Sequence, residues 1–116
     1  KAGLRHFDYL RANESMRRQL IDLGVGDDVL RRYENQLWLV LVDCWRFYFI
    51  HRQRMTPHDR RAARAEMKRV WKTIDTTTLE PRNKWKLGYM PLRPSWSLFC
   101  LQEELYFTLK RWLRRL

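Results

Sequence analysis

Asp43 is the only carboxylate inside the apolar run from Leu37 to Ile50, and a buried acid with a raised pKa would be a general acid or base. Arg46 follows three residues later and shares a polar strip with Gln36, so a helix-surface ion pair is expected instead. Cys44, His51 and His58 recur at intervals of seven, which mimics a metal-ligand series. Two helical turns would separate Cys44 from His51 by about 10.5 Å, too far for one metal, and Thr56-Pro57 interrupts the helix before His58. The sequence holds no Gly-rich phosphate loop, GxSxG elbow or HExxH motif. No catalytic residue, metal, cofactor or small-molecule substrate is therefore expected.

Positive charge is the signal that survives. The 116 residues carry 24 Lys and Arg against 13 Asp and Glu, a net charge of +11, and 18 of the cations are Arg. From His51 to Lys72 the cations Arg52, Arg54, Arg60, Arg61, Arg64, Lys68, Arg69 and Lys72 meet only Asp59 and Glu66. Arg61, Arg64, Lys68 and Lys72 fall within an arc of about 80° on a helix. Guanidinium forks match phosphate oxygens, and such a stripe follows a nucleic-acid backbone without reading bases. A second basic region, with Arg82, Lys84, Trp85, Lys86, Tyr89, Arg93 and Trp96, interleaves cations with aromatics. Unpaired RNA bases stack on such rings, and a membrane interface accepts the same composition. Trp85, Leu87 and Tyr89 also suit a loop pinned over a core.

The elements that position these residues are helical. Four Gly and four Pro punctuate the chain, and no strand-like alternation lies between them. The expected fold is all-α, a small bundle of about four helices in a single domain spanning residues 1–116. The helices cover about 2–23, 28–54, 57–75 and 96–115, with an irregular basic and aromatic arm over 76–95. In the first, Tyr9, Ala12, Met16, Leu20 and Leu23 form one face and Phe7, Leu10 and Ile21 another. The second starts from a cap at Asp27 or Asp28, is apolar around most of its circumference and is the expected central helix, with Asn35, Gln36, Asp43 and Arg46 on its polar strip. The third has Thr56 as N-cap, Pro57 at the first position and Asp59 placed for a capping box. Its core stripe is Ala63, Met67, Val70, Trp71 and Ile74. The fourth carries Leu98, Leu101, Leu105, Leu109, Trp112 and Leu116 on one stripe, with Phe99, Tyr106 and Phe107 off it.

One small domain cannot bury all of that apolar surface, so Leu39, Ile50, Phe99 and Phe107 are expected at a protein interface. The two cysteines allow at most one disulfide, and no apolar run approaches a membrane span. Lys1 opens the chain with neither Met nor a signal-like segment, the start expected of a processed or trimmed chain that is not secreted. The combination points to a non-catalytic accessory subunit of a large ribonucleoprotein assembly of ribosome type. Structured RNA and neighbouring protein subunits are its expected partners, and a mitochondrial setting follows by analogy. The alternative is a peripheral accessory subunit of a mitochondrial inner-membrane respiratory or ATP-synthase complex, its Arg and Trp residues at anionic lipid headgroups. A free-standing helical adaptor using the fourth helix is a third reading.

Overall fold

The computed structural model describes residues 5–74 and 96–113. Among these residues it is all-α, with four α-helices and no strand. They are α1 (Arg5–Asp22), α2 (Asp27–His51), α3 (Pro57–Trp71) and α4 (Trp96–Trp112), with a 3-10 turn at Arg52–Arg54 between α2 and α3. The basic and aromatic arm, with Arg82, Lys84, Trp85, Lys86 and Arg93, lies outside the described residues. Two compact units divide the chain, Lys1–Leu79 and Glu80–Leu116.

In the first unit α2 packs against both α1 and α3. Leu37, Leu41 and Trp45, one helical turn apart, are at most 1% exposed, and Trp38 and Val42 extend the buried arc around the helix. Burial on more than one side follows from that breadth. The helix stops earlier than its apolar pattern suggests. Residues 52–54 tighten into the 3-10 turn, whose carbonyls receive a side chain: the Arg60 guanidinium donates to Arg52 O at 2.9 Å and Met55 O at 2.7 Å.

The turn between α1 and α2 needs Gly24. Its φ is +72°, a region that L side chains rarely enter. The Gly24 N–H donates to Ile21 O and the Val25 N–H to Leu20 O, closing the Schellman pattern on the last carbonyls of α1. Gly26, and neither Asp27 nor Asp28, is the N-cap of α2. The two aspartates occupy the first turn, where their charge meets the positive end of the helix dipole.

The inward face of α1 also differs from the expected one. Phe7 and Leu10 are buried, whereas Tyr9, Met16 and Leu23 are 56%, 44% and 77% exposed. The buried stripe continues through Asn13 and Glu14 into half-buried Arg17, polar residues that an apolar search passes over. Asn13 Nδ2 donates to Tyr9 O at 2.9 Å, and buried Asn35 of α2 repeats the device with Arg31 O at 2.8 Å. Asn35 thus leaves the polar strip by satisfying its amide on its own helix. Glu14 accepts from Arg69 of α3 at 2.8 Å, and Arg17 donates to Glu34 of α2 at 2.9 Å and to Thr73 Oγ1 at 2.8 Å. Ion pairs therefore join α1 to both neighbours.

In the second unit, α4 buries Phe99, Cys100, Gln102, Glu103 and Phe107. Phe99 and Phe107, expected at an exposed interface, are 2% and 3% exposed. Leu101, Leu105 and Leu109, expected as a core stripe, are 55%, 63% and 58% exposed. Both faces of this helix are apolar, and aromatic rings remove more area from water per residue than leucine does. Of the remaining expected interface residues, Leu39 is 39% exposed and Ile50 is half-buried.

Candidate anion-binding face of α3

The start of α3 is fixed by local chemistry. Thr56 takes extended backbone angles and its hydroxyl accepts the Asp59 N–H at 3.0 Å, while Pro57 occupies the first helical position. The cap sets the phase of the helix, and the phase decides which side chains turn inward. Ala63, Met67, Val70 and Trp71 are buried, as is Ile74 beyond the helix end. That face packs toward α2 and α1. Arg61, Lys68 and Lys72 consequently stand on the opposite side, all exposed.

The structure sorts the cations of residues 52–72 by what each touches. Arg60 is held by the two carbonyls of the 3-10 corner. Arg69 binds Glu14 and Glu66, and those hydrogen bonds raise its pKa above the ordinary arginine value. Both residues are structural. Arg52 lies over the Phe49 ring at 4.9 Å, and Arg64 lies 5.6 Å and 6.0 Å from the Trp45 and Tyr48 rings, which stack on one another. Cation–π contact holds these two guanidinium groups in place. Among the described residues no carboxylate pairs with Arg54, Arg61, Lys68 or Lys72.

An exposed row remains along α3, Arg61, Lys68 and Lys72, with ring-held Arg64 beside it, and Arg54 is exposed on the preceding turn. Arg61 and Lys68 are two turns apart, about 10.5 Å, and Lys72 lies one turn further. Such a row neutralises successive anionic groups on an extended ligand, and a compact anion engages only one or two of its members.

Other polar features have internal explanations. A cleft of about 430 Å³ in the first unit is lined by Arg17, Ile21, Asp27, Leu30, Arg31, Glu34 and Thr73. Its two most buried charges, Arg17 and Glu34, bond to each other. Cys44 is buried, and desolvation, followed by the charge of Asp43, pushes its thiol up to about 12. It stays a thiol at neutral pH, unsuited to nucleophilic or ligand chemistry. Among the described residues no three His, Cys, Asp or Glu side chains gather around a point, and no helix is long and apolar enough to cross a membrane.

Sequence reasoning missed Glu14, Arg17 and Glu34 as partners and grouped Arg60 and Arg69 with the free cations. The available signal was position: Glu14 and Arg17 continue the Phe7–Leu10 stripe at helical spacing, where a charge requires an opposite charge across the interface. Comparison with family models, curated proteins and solved structures finds no match to this chain.

Proposed function

We propose that the protein is a non-catalytic structural subunit of a ribonucleoprotein assembly, binding RNA phosphates through the outer face of α3. The observation that carries this reading is the row Arg54, Arg61, Lys68 and Lys72, exposed and without acidic partners among the described residues. In the same segment Arg69, by contrast, is paired with Glu14 and Glu66. The net charge of +11 attracts a polyanion from a distance. Outward apolar side chains such as Leu39 and the leucines of α4 serve contacts with protein. A ribosome-type particle, in mitochondria by analogy with other small basic helical subunits, is the setting this reading favours.

The test is binding of the full chain to structured RNA across a salt series. Neutralising about four phosphates gives a slope of log K on log salt of roughly −3 to −4. Changing Arg54, Arg61, Lys68 and Lys72 to Glu should remove binding while the circular dichroism of the helices stays unchanged. Undiminished binding by the folded quadruple variant overturns the reading. Trp112, 80% exposed beside Lys110 and Arg111, favours a second reading, a peripheral subunit at an anionic membrane. Co-sedimentation with cardiolipin-containing vesicles and none with RNA would establish that reading instead.

A further inference from the structure

The Arg17–Glu34 pair accounts for the more buried charges of the cleft in the first unit, and it leaves the outer ones unexplained. Asp27 and Arg31 stand one turn apart on α2, both exposed and both lining the cleft. This spacing, with the acid N-terminal to the base, is the one at which helix ion pairs form. Among the described residues, however, neither side chain pairs with an opposite charge. Ile21 of α1 and Leu30 of α2 supply the apolar part of the wall, and the volume of about 430 Å³ lies within the range of small-molecule sites.

Charge balance selects the ligand. Arg17 and Arg31 oppose Asp27 and Glu34, so the cleft is neutral although the chain carries +11. A phosphate at Arg31 would meet two carboxylates, and a diamine at Asp27 would meet two guanidinium groups. An uncharged apolar ligand would cover two unpaired charges, a desolvation cost that nothing offsets. A ligand with an ammonium and a carboxylate on one carbon satisfies both side chains at once. Its ammonium donates to Asp27 and its carboxylate accepts the planar fork of Arg31, while an apolar substituent rests on Ile21 and Leu30. We propose that this cleft binds a free α-amino acid with an apolar side chain, held at its two charged groups by Asp27 and Arg31. The Arg17–Glu34 pair and the bond from Arg17 to Thr73 tie α1, α2 and the end of α3 together, so the walls stand in place before the ligand enters. The proposal is independent of the α3 reading, and its test contains no RNA.

Amide NMR of the full chain titrated with L-leucine measures the binding. Saturable shifts are expected at Ile21, Leu30 and Arg31, with a Kd of about 1 mM, as suits a ligand of few atoms. Leucinamide, which keeps only the ammonium, and isocaproate, which keeps only the carboxylate, should each bind at least about tenfold more weakly. Arg31→Gln should cost leucine at least about tenfold and leave leucinamide binding unchanged. Asp27→Asn should weaken leucine to the same degree and leave isocaproate binding unchanged. That crossed pattern distinguishes the loss of one contact from misfolding, and the same spectra report whether each variant is folded. No saturable shift with leucine up to about 50 mM would overturn the proposal. Leucinamide or isocaproate binding as tightly as leucine, or inorganic phosphate binding more tightly, would overturn it too. A folded variant that leaves leucine affinity unchanged, or that weakens all three ligands alike, has the same consequence.

Discussion

α3 and α4 are amphipathic helices of similar length, 15 and 17 residues, and they resolve burial in opposite ways. α3 turns its apolar residues inward and its cations outward. In α4 the inward phenylalanines share their face with Gln102 and Glu103, while leucines and Trp112 face outward. A helix with a single apolar face has one way to remove it from water. A helix apolar on two sides needs neighbours on both: α2 has them in α1 and α3, whereas the leucines of α4 stay exposed, and a contiguous exposed apolar face suits association. The outward face of α3 offers charge, and that of α4 offers apolar area.

Two tryptophans measure this contrast most strongly. Trp71, near the end of α3, is 6% exposed and Trp112, at the end of α4, is 80% exposed. Trp71→Ala should lower unfolding free energy by about 3–5 kcal/mol, the range for emptying a large aromatic site. Trp112→Ala should change it by less than about 0.5 kcal/mol. Denaturant titration of both variants checks this, and equal losses would mean the end of α4 is as embedded as that of α3.

The next effect comes from Glu103. Burial raises its carboxyl from the ordinary 4.5 to about 8, its Oε1 has no hydrogen-bond partner, and Gln102 approaches Oε2 at only 3.4 Å. Below pH 4.5 both folded and unfolded chains hold the proton. Between 4.5 and 8 the unfolded chain has released it and the folded chain has not, so stability falls as pH rises, at up to about 1.4 kcal/mol per pH unit. Glu103→Gln should flatten that slope and raise stability at pH 7.5 by about 1–3 kcal/mol, with little change near pH 4. Unfolding titrations at several pH values read this directly. An unaltered slope in the variant would show that Glu103 ionises within the fold.

What the sequence revealed divides along the same line. The α3 core stripe, the Thr56 cap and the exposure of Arg61, Lys68 and Lys72 were legible because one face is apolar, the other is basic and the N-terminal signal is local. The direction of α4 was not legible, since periodicity identifies faces without ranking two apolar ones. In α1, Phe7 and Leu10 were visible only as a minor face. The residues extending it, buried Asn13 and Glu14 and half-buried Arg17, are satisfied through a backbone bond and through Arg69 and Glu34, partners supplied by tertiary contact. The separation of Arg60 and Arg69 from the exposed cations was hidden for the same reason: ion pairing is a property of neighbours in space. The four-helix order, by contrast, needed only Gly, Pro and helical periodicity.

A smaller effect isolates the local part of the α3 side. Thr56→Ala removes the acceptor for the Asp59 N–H and should lower stability by about 1 kcal/mol. Thr56→Ser, which keeps the hydroxyl, should lose much less. Similar losses in thermal unfolding would show that the methyl group and not the cap bond is what matters there.

The smallest expected change in stability gives the sharpest functional separation. Lys68 and Leu105 are both exposed, one on each outward face, and changing either to Ser should alter stability by about 0.5 kcal/mol at most, mainly through helix propensity. Their binding effects should diverge with salt. Loss of Lys68 removes one counterion-releasing contact, so RNA affinity should fall and the salt slope should become shallower by about one unit. Loss of Leu105 removes exposed apolar area, so protein association through α4 should weaken at every ionic strength while the RNA slope keeps its value. Crossed binding measurements on the two variants, RNA titration and sedimentation at matched salts, test whether the faces act separately. If Lys68→Ser weakened that association as much as Leu105→Ser does, charge and apolar area would belong to one surface, and the division between α3 and α4 would have to be abandoned.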